Sequence, residues 1–196
     1  MSDTVKILHR DIVSRGHGLL ERITFQRRTF AGKPQEMTRE VYDNGPGATI
    51  LLYDPERRRI LLVRQFRPAV YLLEGRDSLL ETCAGKLEGA AAAERIVMEA
   101  LEETGYRIGT PTFLFSAYMS PGAYAEKISF FTAPYSPRDK MTNGGGLADE
   151  GEDIEVIEPT LDEALAMIAS GEIADAKTIL LLQWAALNLA DGRGRA

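Results

Sequence analysis

The sequence predicts an α+β layered domain in which short strands outnumber helices. Three observations carry that prediction. Runs of β-branched and aromatic residues recur between Gly, Pro and Asp turn signals as far as Tyr135. From about residue 90 to residue 104 the composition changes to alanine, glutamate, leucine and methionine, all good helix formers, stopped by Gly105. Two later apolar segments also have helical composition, and one is opened by a capping-box arrangement at Thr160 and Glu163.

The elements follow in chain order. "GLLERITFQRRTF" mixes apolar residues with arginines and reads as an exposed or partner-paired strand. "FAGKPQE" supplies Gly and Pro for a turn, and "TREVYD" is a short strand. "ATILLYDPERRRILLVRQF" predicts a hairpin whose turn begins at Asp54-Pro55. "LLETCAG" reads as one more apolar strand, and the helix over 90–104 comes next. "TFLFSAY" and "EKISFFTAPY" are strands joined by "MSPGAYA". The long loop "SPRDKMTNGGGLADEGED" leads into "IEVIE", then into the two late helices. The last of these, "DAKTILLLQWAALNLA", has too wide an apolar surface to face water alone, so it is expected to pack across the sheet or against a second subunit.

Composition narrows the chemistry. A chain of 196 residues with 44% hydrophobic and 27% charged content suits one well-packed domain. Its net charge of −6 argues against a nucleic-acid backbone binder. An acidic protein that handles a polyanion needs local cations or a bound metal. Cys83 is the only cysteine, so no internal disulfide can form, and a zinc cluster is not expected with only His9 and His17 beside it. No apolar run has signal-peptide or membrane-spanning character, and the expectation is a cytoplasmic protein without a membrane partner.

"EALEETGY" sets Glu99, Glu102 and Glu103 on one face of the predicted helix, with neighbouring Cβ atoms roughly 5–6 Å apart. Like charges at that spacing weaken a helix. The plain explanation is a solvated face, and Arg95 is expected to pair with these glutamates only indirectly. Clustered carboxylates are also what a hard divalent cation requires. Other residues have plain explanations too. Arg64 and Arg67 in "VRQFR" fit the outward face of a strand, and Cys83 fits a small buried hydrophobe.

The order of glycine loop, helix and glutamates resembles the Nudix box. Glu99, Glu102, Glu103 and Gly105 match its second half in order and spacing. Its first half departs: the box glutamate position falls on Ala90 and the box arginine on Met98, and Gly85 sits one residue closer to the helix. "REVYDNGPGATILLY", "VRQFR", "YMSPG", "GEDIEVIE" and "GEIADAKTILLL" extend the likeness from about residue 10 to residue 185. Together they resemble the bacterial GDP-mannose pyrophosphatase branch, close to the ADP-ribose pyrophosphatases.

The resemblance implies a Nudix fold, an α/β/α sandwich around a mixed sheet. It also implies N-terminal strands over 1–43 that dimerise the chain and a hydrolase domain over 44–196. It implies hydrolysis of a nucleotide sugar, GDP-mannose to GMP and mannose 1-phosphate, with Mg²⁺ or Mn²⁺. An ADP-sugar pyrophosphatase and a binding protein that has lost hydrolysis are the alternatives. By resemblance, the metal ligands are the Ala84 carbonyl, Glu99, Glu103 and Glu152, with Glu102 a lesser one. Glu99, Glu103 and Glu152 are the catalytic residues, and Glu152 is the first candidate for general base. Substrate contacts are implied at His17, Arg39, Glu40, Arg67, Ala84, Gly85, Lys86, Glu103, Glu126, Gly151, Glu152 and Lys177.

Overall fold

The computed structural model describes residues 4–189. They divide into two units, one formed by residues up to 46 with 118–127, the other by 47–117 with the chain from 128 onward.

The first unit is an antiparallel meander of β1 (Val5–Arg15), β2 (Leu19–Arg28) and β3 (Pro34–Asp43), with β2 in the middle. Cross-strand pairs join its polar positions: Arg10 to Glu21, Arg22 to Glu40 at 2.7 Å, and the Thr24 and Thr38 hydroxyls at 3.0 Å. The strand expected at "TREVYD" therefore begins earlier, at Pro34, because β2 is long enough to pair with all of it. β1 had no sequence signature. It is exposed along its whole length, Ile7, Ile12 and Val13 included, so no alternation of buried and solvated positions marks it. The segment 118–127 is held by Tyr42, which donates its N–H to Ala123 O and accepts from the Ala125 N–H.

The second unit is built on β4 (Gly47–Asp54) and β5 (Arg59–Gln65), the expected hairpin. Asp54 makes the turn by accepting the Glu56 and Arg57 backbone N–H groups, both at 2.9 Å. The further elements are α1 (Pro68–Glu74), β6 (Leu79–Glu81), β7 (Cys83–Lys86) and α2 (Ala92–Thr104). After them come β8 (Thr112–Tyr118), β9 (Lys127–Pro134), β10 (Glu155–Ile157), α3 (Leu161–Ser170) and α4 (Ala176–Asn188). The main sheet runs β10-β5-β4-β9-β8, with β4 and β9 parallel and β4, β5 and β10 antiparallel, so it is mixed. β4 and β5 pair only near their turn. Where they part, β6 pairs with β5 and β7 with β4. "LLETCAG" is thus two strands broken at Thr82, where one had been expected.

Helices cover both faces of this sheet, which is why β4 and β5 are almost continuously apolar. Ala48, Ile50 and Leu52 pack with Ile96 and Ala100 of α2. Thr49 points the other way, its hydroxyl 2.8 Å from that of Thr82, whose N–H donates to the Thr178 hydroxyl of α4 at 2.8 Å. The last helix packs on the sheet and on α3, burying Leu181, Leu182 and Ala185, while Leu187 stays exposed. α3 carries the expected capping box, with Thr160 and Glu163 bonded reciprocally. Seven-residue α1 was not expected: it starts at Pro68, a favourable first helical position, and is too short to show periodicity.

Candidate active site

α2 turns an unusual face inward. Its buried residues are Ile96, Glu99, Ala100, Glu103 and Thr104, so two carboxylates sit on the side that packs against the sheet, while Glu102 is half-buried. Gly105 ends the helix at φ 79° and donates its N–H to Leu101 O. Glu103 is 1% exposed. Its Oε2 accepts the Ala84 backbone N–H at 3.2 Å, and the Cys83 thiol is also hydrogen-bonded to it. Burial pushes the Glu103 carboxyl up to about 8; the bonds from Cys83 and Ala84 pull against this, and the neighbouring carboxylates of Glu99 and Glu152 add to it.

Arg95 corrects an expectation. It pairs directly with Glu99 at 2.7 Å, approaches Glu102 at 3.7 Å, and donates Nε–H to the Lys86 carbonyl at 3.3 Å. One turn of helix separates Arg95 from Glu99, which is the spacing at which side chains meet. Arg95 therefore ties the end of β7 to the glutamate face, although Ala90 and Met98 occupy the positions where the Nudix box has its own pair. Gly85 makes the room. A Cβ there would lie 1.7 Å from Glu99 Oε1 and 2.1 Å from its Cδ. Gly85→Ala should displace the Glu99 carboxylate, and an activity that depends on its position should fall about 100-fold, the scale of a misplacement by an ångström. Circular dichroism should remain native. Full activity in the variant would contradict this arrangement.

The long loop is anchored on the end of α2. Gly145 donates its N–H to the Glu103 carbonyl at 3.0 Å, and Gly146 donates to that of Glu102 at 3.1 Å. This brings Glu152 round to the same end, where its Oε2 accepts the Leu147 N–H at 2.9 Å. Glu152 and Gly151 line a cavity of about 550 Å³ together with Arg64, Gln65, Arg67 and Ser78. Arg67 precedes α1 and lies near Glu103. Its Nε–H donates to Glu81 Oε1 at 2.5 Å and Nη2–H to Oε2 at 3.2 Å. Lys177 bonds to the same carboxylate and to Asp175 at 2.9 Å.

The structure thus gathers Ala84, Gly85, Glu99, Glu102, Glu103, Glu152 and Arg67 in one region of the second unit. Lys86 is exposed at the end of β7. His17, Arg39, Glu40 and Glu126 belong to the first unit. There His17 is exposed, Arg39 donates to the Thr38 carbonyl at 2.7 Å, and Glu40 is paired with Arg22. Sequence reasoning passed over Glu81, Asp175 and the direct role of Arg95. Only the i, i+4 spacing of Arg95 was visible locally; Glu81 meets Lys177 across 96 residues.

Three carboxylates and a backbone carbonyl form a hard oxygen set, and the Glu103 carboxyl, raised chiefly by burial and further by the nearby Glu99 and Glu152 carboxylates, would be relieved by a cation there. The donor chemistry fits. In this conformation no three Asp, Glu, His or Cys side chains among the described residues converge as a metal-holding group, since Glu99 is drawn to Arg95 and Glu152 to Leu147.

The comparisons with known proteins define a hydrolase of the Nudix type. No family model matches the chain. It is 45% identical over 186 residues to a GDP-mannose pyrophosphatase of Citrobacter koseri, a match covering 94% of this chain and 96% of the relative. Proteins of the same name from Salmonella paratyphi B and Escherichia coli O139:H28 are each 44% identical over the same shares. The crystal structure of an ADP compounds hydrolase superposes with a TM-score of 0.74, covering 99% of this chain and 98% of the other, at 18% identity, a likeness of fold. The chain belongs to the GDP-mannose pyrophosphatase family of Nudix hydrolases.

Proposed function

We propose that this protein hydrolyses the pyrophosphate bond of GDP-mannose, yielding GMP and mannose 1-phosphate. The observation that carries the reading is the buried Glu103, bonded to the Ala84 N–H and within electrostatic reach of Glu99 and Glu152, close to a cavity that Arg67 and Glu152 line. The names of the relatives supply the substrate. Mg²⁺ or Mn²⁺ would be held by the Ala84 carbonyl, Glu99, Glu103 and Glu152, with Glu102 contributing less. When bound, such an ion supplies charge neutralisation for the diphosphate and acidifies a water molecule. Arg67 forks onto phosphate oxygens, and Lys177 adds a second positive charge. Glu152, carried on the loop, is the proposed general base that takes the proton of the attacking water. Ala84, Gly85, Lys86 and Gly151 bound the diphosphate.

The test is incubation of the purified protein with GDP-mannose and Mg²⁺ or Mn²⁺, followed by chromatography. GMP and mannose 1-phosphate are expected in equal amounts, with none formed in EDTA. Release of AMP from ADP-ribose with GDP-mannose untouched would move the protein to the ADP-sugar alternative.

We also infer a homodimer through the N-terminal strands. The exposed apolar residues of β1 favour it, since such a strand gains by being covered. Sedimentation should give twice the chain mass, and a stable monomer would refute it. Among the described residues no helix is long and apolar enough to cross a membrane. We assign the activity to the cytoplasm, and the net charge of −6 argues against a nucleic-acid partner.

A further inference from the structure

Glu81 carries no role so far, yet it is one of the most deeply buried charged side chains, 1% exposed. It ends β6, just before the break at Thr82. Its two oxygens are divided between two cations. Oε1 takes the Arg67 Nε–H, while Oε2 takes both the Arg67 Nη2–H and the Lys177 ammonium. Arg67 comes from the entry to α1 and Lys177 from the first turn of α4, elements more than 100 residues apart in sequence. Burial acts to raise the Glu81 carboxyl, but Lys177 and Arg67 outweigh it and hold it below its ordinary value. Asp175 completes the group: it caps α4 by accepting the Thr178 N–H at 2.9 Å and bonds Lys177 from the other side.

A buried ion cluster is a costly way to stabilise a core, since apolar side chains of the same volume often do as well or better. What it supplies is geometry. Bonds to Nε and Nη2 fix one edge of the Arg67 fork, which leaves Nη1 without a hydrogen-bond partner among the described residues, on a side chain that lines the 550 Å³ cavity. Two anions and two cations also cancel, so Arg67 and Lys177 are held as oriented donors with much of their charge already balanced.

We propose that Glu81 is a positioning residue that aims Arg67 and Lys177 at the substrate diphosphate and restrains their grip on ground-state anions. This rests on the reading in which those two cations contact the diphosphate. Without the Glu81 charge, the two cations attract any anion more strongly but are no longer held in one geometry. The two effects act on different measured quantities.

The test is Glu81→Gln, which keeps the size of the side chain. With GDP-mannose and Mg²⁺, kcat should fall about tenfold or more while KM also falls. Isothermal titration with inorganic pyrophosphate, in metal-free protein, should show several-fold tighter binding than wild type. A merely structural role predicts lower thermal stability with no gain in pyrophosphate affinity, and that outcome overturns the proposal. So does an unchanged kcat. If Glu81→Gln does not fold, Glu81→Asp decides. It keeps the charge but cannot span both cations, so kcat should fall at unchanged pyrophosphate affinity; wild-type kcat refutes the idea. Should the wild-type protein not cleave GDP-mannose, the proposed function fails, while the pyrophosphate titration still separates Glu81→Gln from wild type.

Discussion

Glu103→Gln should fold normally and hydrolyse GDP-mannose roughly 100- to 1,000-fold more slowly, the scale of removing one preorganised group from a catalytic site. An active variant would end the assignment of Glu103 to the metal and the chemistry. The same substitution should raise the stability of the metal-free protein. Burial, with Glu99 and Glu152 nearby, lifts the folded-state Glu103 carboxyl from an ordinary 4.5 to about 8. A carboxyl raised in this way binds its proton more tightly in the folded state than in the unfolded one. Its favourable contribution is complete below pH 4.5 and disappears as pH rises through 8. At about 1.4 kcal/mol per pKa unit, the full swing is several kcal/mol. In EDTA, wild type should therefore lose urea stability over that range while Glu103→Gln does not, and the variant should be the more stable at pH 8. Parallel pH profiles for the two proteins would contradict this.

Gly105→Ala should be among the most damaging single changes to stability. Gly105 has φ 79°, where an L side chain costs about 1–2 kcal/mol. A Cβ there would also lie 2.3 Å from the Thr142 carbonyl oxygen and 2.6 Å from the Gly144 nitrogen. Both are backbone atoms, so relief requires moving the loop that carries Glu152. We expect a loss on the order of 3 kcal/mol or more, together with reduced turnover, because the bonds from Gly145 and Gly146 to the end of α2 would be strained. Urea unfolding checks the first part, and a loss below about 1 kcal/mol would show that the loop yields freely.

Local rules served well where the cause is local. The hairpin at Asp54-Pro55, the helix ending at Gly105 and the capping box at Thr160 depend on residues within a few positions of one another, and all three are present. Glu99 and Glu103 could be put on one face by spacing alone, but that this face points inward follows only from the sheet beneath it. What escaped is what the chain settles at long range. Arg67, Glu81 and Lys177 meet from three separate elements. Tyr106 and Tyr135 both donate to Glu158, at 2.8 and 3.3 Å, and Arg57 joins them at 2.9 Å, tying the end of α2 to the hairpin without a signature in any one segment. Thr82 looked like one residue among seven in a strand, yet the chain changes partner there.

Arg95 bears on how sequences of this kind are recognised. A consensus pattern specifies a letter at a position, and this chain lacks the letter at Met98. The helix requires only a positive charge within reach of Glu99 and of the Lys86 carbonyl, and a residue three positions earlier satisfies that from the same face. Signature searches that insist on the consensus arginine would pass over such chains. Scoring positions by helical face would retain them.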